Sequence, residues 1–258
     1  MEIVLYLSLA AIMLLGVPHG AFDPIIANRL GWLSSSSRVV MFYSGYLLVV
    51  VLLFFVWPSF PMMSLLGFLL VSVYHFSQDF KVSSVLGRLS YGALILTTPV
   101  ILHSLRVEEL FDHLLFGQSS KTLIATMMVA FAISFLVLLF SFKSYSKKQL
   151  IELSTIVLMG MLLDPLIYFA LFFCLLHSPR HIKHEWNLLP IHKQKMSLVI
   201  GAGVILATYI LAVIAANHLN LSLSDVSGFF TIVFIGLAAL TYPHIFLVEI
   251  ARYKGAYG

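Results

Sequence analysis

Residues 150–176 read LIELSTIVLMGMLLDPLIYFALFFCLL. This apolar run is longer than the roughly 20 residues that one transmembrane helix needs. Asp164-Pro165 interrupts the run in the pattern of an N-cap residue followed by proline at the first helical position. We therefore expect two helical elements, with residues 150–163 entering or crossing the membrane in one direction and residues 165–187 returning.

The rest of the chain is also apolar. Its 258 residues are 60% hydrophobic and 10% charged, whereas soluble domains average about 25% charged residues. Apolar runs that would cross or enter a bilayer lie at about residues 3–20, 38–57, 62–76, 85–103, 122–142, 150–176, 197–216 and 228–248. They predict an all-α, polytopic membrane bundle with about eight to nine segments, forming a single transmembrane domain over residues 1–258. The connection at about 104–121 has the polarity of an amphipathic surface segment.

The basic residues favour a chain reversal at Asp164-Pro165. With the reversal, the outer side holds only Arg106 and Lys121, and the inner loops hold the other thirteen: Arg29, Arg38, Lys81, Arg88, Lys143, Lys147, Lys148, Arg180, Lys183, Lys193, Lys195, Arg252 and Lys254. Without it, seven lie inside and eight outside, which gives no orientation signal. We expect a bacterial inner-membrane protein with its N-terminus outside and its C-terminus in the cytoplasm. Orientation also explains the net charge of +4, so no nucleic-acid partner is expected.

Four polar islands place histidines in or beside the apolar runs. They read Gly16-Val17-Pro18-His19-Gly20, Tyr74-His75-Phe76-Ser77-Gln78-Asp79, His177-Ser178-Pro179-Arg180-His181 and Tyr242-Pro243-His244. His177 and His181 are four residues apart, so on a helix both imidazoles project from one face and can bind one metal. Ionisable side chains at membrane depth are costly and usually functional. The single cysteine, Cys174, excludes a multi-cysteine cluster, and its apolar neighbours predict a buried side chain. The islands therefore predict an intramembrane metal site.

Carboxylates accompany three of these histidines at a spacing of four residues: Asp23 after His19, Asp79 after His75 and Glu185 after His181. On a helix this spacing lets the carboxylate accept the second ring N–H of a metal-bound histidine. Pro24 disfavours helix at Asp23, so the first pair is the less secure. Arg180 either pairs with Glu185 or Asp79, or acts in the chemistry.

A single histidine at a helix end is more often an interfacial residue than a ligand. We keep that interpretation for the histidines in or beside predicted loops, which are His103, His113, His184, His192 and His218.

The ligand set and its surroundings leave several metals open. An all-imidazole site suits Fe(II), Zn or Cu, and geometry decides among them. Aromatic pairs could line an apolar tunnel near the metal: Phe54-Phe55, Tyr168-Phe169, Phe172-Phe173 and Phe229-Phe230. The alternative is that these rings face lipid or pack between helices.

At these motifs the chain resembles the bacterial membrane β-carotene 15,15′-dioxygenases, the Brp/Blh family. The matching residues are Pro18-His19-Gly20-x-x-Asp23, Tyr74-His75, His177-Ser178-Pro179-Arg180-His181 with Glu185, and Pro243-His244. The resemblance implies that His19, His75, His177 and His181 bind Fe(2+) and that His244 supports the site. The spacing of four residues gives Asp23, Asp79 and Glu185 a supporting role as well. The chain departs from many relatives at Pro24, where they have a further histidine.

The resemblance also implies a reaction, in which β-carotene or a related carotenoid is cleaved by molecular oxygen at its central double bond to give two retinal molecules. A neutral polyene partitions into the bilayer and reaches an apolar site from the lipid. One alternative is a histidine-rich membrane desaturase or hydroxylase, which would call for repeated H-x-x-H-H boxes that this sequence lacks. Non-enzymatic alternatives are a metal transporter, with polar groups along a path across the membrane, and a rhodopsin, with a lysine inside a span.

Overall fold

The computed structural model describes residues 2–188 and 191–255, with all their side chains except those of residues 2, 17, 19, 21 and 191–198. This part of the chain is helical and contains no strand, so the all-α prediction is confirmed. The α-helices are α1 (Glu2–Ala11), α2 (Asp23–Arg29), α3 (Ser36–Ser59), α4 (Pro61–Ser77), α5 (Val85–Leu114), α6 (Lys121–Phe140), α7 (Lys147–Leu162), α8 (Pro165–Leu171), α9 (Ser178–Asn187), α10 (Ile191–His218) and α11 (Val226–Tyr253). Two π-helical segments, Ile12–Gly16 and Phe172–His177, and two 3-10 turns, Val17–Phe22 and Phe142–Ser144, lie between them.

Several helices have the length and composition of membrane spans. In the described part of the chain five helices are long and apolar enough, namely α3, α5, α6, residues Val199–His218 of α10, and α11, and two shorter apolar stretches lie at Ile3–Gly16 and Pro61–Ser77. The predicted count of eight to nine segments stays a prediction. Large apolar side chains on these helices are exposed, among them Leu48 on α3 and Leu206 on α10. Such a surface is compatible with lipid rather than water. The chain is therefore a membrane protein.

The chain forms two compact units, one made of Met1–Ser59 with Phe173–Gly258 and the other of Phe60–Phe172. In the first unit, α11 packs against α1, α2, α3 and α10. A buried cluster joins α2 to the C-terminal half of α11, and its members are Ile26, Ala27, Leu247, Val248 and Ala251. This packing fixes the start of α2, where Asp23 lies, against α11.

In the second unit, α5 packs against α4, α6, α7 and α8. A Cβ atom on Gly92 would lie 2.1 Å from the Val73 carbonyl oxygen, so only glycine permits this approach of α4 to α5. Phe80, which follows α4, stacks on Tyr91 with the ring centroids 4.5 Å apart. These contacts hold the C-terminal end of α4, which carries His75, beside the first turns of α5.

The chain reverses at Asp164, as predicted. Helix α7 runs parallel to α5, because residues further along α7 bond to residues further along α5. The pairs are Glu152 with Tyr91 (2.6 Å), Met161 with His103 (2.9 Å) and Asp164, just after α7, with Arg106 (3.2 Å). The next helix returns, because the Tyr168 hydroxyl donates to the Ile95 carbonyl at 3.0 Å. At the turn, the Asp164 carboxylate accepts from the backbone N–H of Leu166 at 2.9 Å, and Pro165 occupies the first helical turn.

The hydrogen bond from Tyr168 has a local cause. Pro99 lacks the N–H that would otherwise bond to the carbonyl of residue 95, and the Tyr168 hydroxyl replaces it.

Helix α5 also bends at His103, whose backbone is non-helical (φ −125°, ψ 32°). It then continues to Leu114, so the predicted surface segment at 104–121 is largely the second half of α5, and His103 lies within a helix rather than beside a loop.

Candidate functional site

Two of the histidine motifs follow π-helical segments, which are rare and often occur at functional sites. Ile12–Gly16 precedes the turn that carries His19, and Phe172–His177 ends at the first histidine of the His177-Ser178-Pro179-Arg180-His181 motif. Side chains donate to backbone carbonyls in and beside the first segment: Cys174 to Ala11 (3.3 Å), Tyr209 to Met13 (2.7 Å) and Ser178 to Leu15 (3.0 Å). These bonds tie the two motifs together, and Cys174 is buried as predicted.

Gly16 and Phe173 determine where the His177 ring lies. A Cβ atom on Gly16 would lie 2.3 Å from the Phe173 ring, so the ring occupies the space that any other residue at position 16 would need. The Phe173 ring in turn stacks on the imidazole of His177, with centroids 5.6 Å apart and planes 16° apart. His177 is buried, with 2% of its surface exposed.

A buried carboxylate connects α2, α3 and α11. Asp23 is 1% exposed, and its Oδ1 lies 2.6 Å from Nδ1 of His244. Its Oδ2 accepts a hydrogen bond from the Tyr46 hydroxyl at 2.7 Å. An ionised carboxylate at Nδ1 selects the imidazole tautomer that is protonated there, which leaves the basic lone pair on Nε2. Asp23 therefore orients His244 and fixes its proton.

His181 lies beside His244. The two rings meet edge to face with centroids 4.8 Å apart, and they are 8% and 2% exposed. Glu185 lies one turn after His181 on α9, as predicted, and is fully buried. Its carboxylate forms an ion pair with Arg29 of α2 at 2.8 Å.

Sequence reasoning missed Arg29 and Tyr46. Sequence reasoning treats Arg29 only as a positive charge in an inner loop, whereas the structure pairs its guanidinium with the buried carboxylate of Glu185 at 2.8 Å. No sequence pattern distinguishes Tyr46 from the other tyrosines of the chain.

The carboxylates Asp23 and Asp79 lie in different local structures. Helix α4 ends at Ser77, so Asp79 lies in the turn that follows, where its N–H donates to the Phe76 carbonyl at 3.1 Å. Its pairing with His75 stays a prediction. Asp23 is itself helical, since Pro24 sits in the first turn of α2, where proline is tolerated. Its observed histidine partner is His244.

The other predicted ligands are distributed as follows. His75 is buried in the last turn of α4, in the second compact unit. The backbone of His19 lies in the turn Val17–Phe22, and its side chain lies outside the described residues. Among the described side chains, no group of three or more histidine, cysteine, aspartate or glutamate residues is arranged to hold a metal ion.

The donor chemistry of the described histidines nevertheless fits a metal held by nitrogen. His181 and His244 are buried imidazoles in ring contact, and His244 has the carboxylate partner on Nδ1 that metal-bound histidines commonly have. An all-nitrogen, thiolate-free donor set suits iron, zinc or copper.

Comparisons with known proteins identify the family. A family model described as "Beta-carotene 15,15'-dioxygenase" matches residues 10–251. The chain is also 29% identical over 256 residues to a protein named beta-carotene 15,15'-dioxygenase from an uncultured marine bacterium, 66A03, covering 94% of this chain and 92% of that protein. No solved structure matches the chain. Because the family model spans nearly the whole chain and all four histidine motifs, the chain belongs to the β-carotene 15,15′-dioxygenase family.

Proposed function

We propose that this protein is a β-carotene 15,15′-dioxygenase, which cleaves the central double bond of β-carotene with molecular oxygen to give two retinal molecules. The family match over residues 10–251 carries this proposal. The exposed apolar helices support it, because a membrane-embedded enzyme meets a neutral polyene directly in the bilayer. In the reaction the central carbon–carbon double bond breaks and each of its carbons receives one oxygen atom.

We propose His19, His75, His177 and His181 as the ligands of one Fe(II), a set that rests on the family resemblance. The burial and spacing of two members support this set, since His177 and His181 are buried imidazoles within one helical turn of each other. When bound, iron would supply the site at which oxygen is activated.

The chain's own groups have separate tasks in this proposal. Asp23 holds His244 in one tautomer, and the contact between His244 and His181 limits how the His181 ring can turn. Phe173 restrains His177 in the same way. The ion pair between Arg29 and Glu185 fixes α9 against α2. His177, His181 and His244 are almost fully buried, which supports a site that excludes water from the reacting bond.

The membrane arrangement is part of the proposal. We propose a single domain in the bacterial inner membrane with eight to nine segments that cross or enter it, counting the five long helices and the shorter apolar elements. The N-terminus would lie outside and the C-terminus in the cytoplasm. The distribution of lysine and arginine supports this orientation, and so does the chain reversal at Asp164.

The decisive experiment is expression in a bacterial host that accumulates β-carotene. The expected result is loss of colour and formation of retinal, with labelled molecular oxygen in both aldehydes when they are reduced at once to alcohols to prevent exchange with water. Apocarotenals of unequal length would reject central cleavage. A desaturated fatty acid with intact β-carotene would support the desaturase alternative, and metal uptake with intact β-carotene would support a transporter.

The ligand assignment is tested on purified protein. His177→Ala and His181→Ala are each expected to lose bound iron and retinal formation. The matched control is His218→Ala, which removes an exposed imidazole that contacts Phe55 at the end of α10. Normal iron content in the His177 or His181 variant would reject that residue as a ligand.

A further inference from the structure

A cavity of about 400 Å³ lies within the first compact unit, between α3, α10 and α11. This volume is within the range of about 300–1,000 Å³ that is usual for small-molecule sites. Tyr43 and Phe54 line it from α3, and Gly203 and Ala207 line it from α10. The cavity therefore has an aromatic wall facing a wall of small residues.

The small residues do not serve close packing at this place. Small side chains in membrane helices usually let two backbones approach each other. A Cβ atom on Gly203, however, would meet no atom within 4 Å. Gly203 and Ala207 are also exposed, so the space in front of them opens towards the apolar surroundings of α10. The small residues therefore leave space beside α10 for a bound molecule.

Part of the cavity wall contacts a histidine, because the lining residue Asp23 bonds to His244. Asp23 and Tyr46 are among its lining residues. Both oxygens of the Asp23 carboxylate accept hydrogen bonds, one from Tyr46 and one from His244. The carboxylate is thus already engaged within the protein, and among the described side chains that line the cavity Asp23 is the only charged one. A neutral, apolar occupant fits these walls better than a cation or a polar headgroup.

We propose that this cavity receives one half of the carotenoid, an end ring with its adjoining conjugated chain, which enters from the bilayer between α3 and α10. The inference rests on the proposed function and adds the place where substrate binds. A conjugated polyene is flat and stiff, so it fits between aromatic rings and small residues without losing much conformational freedom. Its inner end would then point along Asp23 towards His244 and His181.

The test fills the cavity from the helix that lines it. Ala207→Leu adds three carbon atoms inside the cavity, and Ala202→Leu makes the same change at an exposed position of α10 outside the lining. Alanine and leucine have similar helix propensities, so the two variants should fold alike. Gly203→Leu is a second filling variant, and Ala207→Val is a milder one should either leucine prevent folding.

Four quantities are measured on each purified variant: the carotenoid that remains bound, by visible absorbance per protein, the KM for β-carotene, the kcat, and the iron content. We expect Ala207→Leu and Gly203→Leu to lose most of the bound carotenoid and to raise KM at least about tenfold, a typical effect of misfit in an apolar pocket. Iron content should stay at the wild-type level. Ala202→Leu should stay within about twofold of wild type.

The outcomes separate this inference from the proposed function. Retinal formation by the wild type, together with unchanged KM and carotenoid binding in both filling variants, would overturn the cavity assignment alone. An equal loss in Ala202→Leu would also overturn it. Loss of co-purified phospholipid with unchanged carotenoid would identify a lipid acyl chain as the occupant instead. A wild-type protein that forms no retinal would reject the proposed function itself.

Discussion

Asp23 Oδ1 lies 2.6 Å from His244 Nδ1, although 221 residues separate the two in the chain. Both side chains are almost fully buried. A buried carboxylate without a partner would be costly, so the pair with His244 and the hydroxyl of Tyr46 together make this position tolerable. The relationship gives His244 a fixed tautomer beside His181 and makes Asp23 the residue that connects α2, α3 and α11.

The first prediction concerns Asp23→Asn. The substitution removes the charge that fixes the proton on His244 Nδ1, while keeping the size of the side chain. We expect retinal formation or iron affinity to fall, but by less than the roughly 10–100-fold that losing the direct partner of a metal ligand costs, because Asp23 acts on the proposed ligand His181 through His244. Activity assays and metal analysis of the purified protein measure both effects. Full activity with a normal iron content would show that the pair is only structural.

Tyr46→Phe provides the graded comparison for Asp23→Asn. It removes one hydrogen bond to Asp23 Oδ2 and leaves the bond between Asp23 and His244 in place. The effect should therefore be smaller than that of Asp23→Asn. A larger effect would assign Tyr46 a role of its own next to the cavity.

The second prediction concerns Gly16→Ala. The added methyl group would displace the Phe173 ring, which stacks on His177, so both stability and activity should fall. Overpacking of this kind costs about 1–3 kcal/mol. Thermal unfolding in detergent and retinal formation are the measurements. The control is Gly45→Ala on α3, where an added Cβ meets nothing within 4 Å and stability should not fall.

Sequence patterns identified the local features of this chain and missed contacts between distant segments. Asp164-Pro165 can be recognised as a helix start because capping depends only on neighbouring residues, and the structure confirms that a helix starts there. The pairing of Asp23 with His19 is a prediction from local spacing, whereas the contact of the same carboxylate with His244 comes from burial against α11 and could not be read from spacing. Arg29 and Glu185 form an ion pair across 156 positions, which periodicity cannot reveal.

The aromatic pairs illustrate a similar limit. Phe173 and Phe230 pack inside the protein against His177 and Phe234. Of the four predicted pairs, only Phe54 contributes to the lining of the cavity between α3, α10 and α11. Composition indicates that aromatic rings are abundant, whereas helix orientation decides which of them face a cavity.

The third prediction concerns Glu185→Gln. The sequence predicted weaker activity or metal affinity through His181, and the structure adds a second effect, because Arg29 would lose its buried partner. Removing one member of a buried pair costs about 3–5 kcal/mol, and the 20% exposure of Arg29 reduces this to roughly 1–3 kcal/mol. Thermal unfolding and iron content are to be measured together. Wild-type stability and iron content would contradict both effects.

Arg29→Met with Glu185→Gln separates the two effects of the single variant. The double variant leaves no buried charge at this position, so it should recover part of the lost stability. If Glu185 also acts through His181, iron content should remain low in the double variant. Recovery of both quantities would show that the ion pair alone explains the single variant.

The fourth prediction concerns membrane topology. Contacts with α5 show that α7 and α8 run in opposite directions, and the positive residues divide thirteen to two only when the chain turns back at Asp164. Reporters inserted after Lys148 and after Lys195 of the full-length protein should therefore both lie in the cytoplasm. A phosphatase, active only outside, and a fluorescent protein, fluorescent only inside, give opposite signals at each position. An insertion after Lys121 serves as the outside control. Signals from opposite sides at Lys148 and Lys195 would mean that residues 150–187 cross the membrane once. The histidines would then have to meet in the middle of the bilayer rather than near its cytoplasmic side.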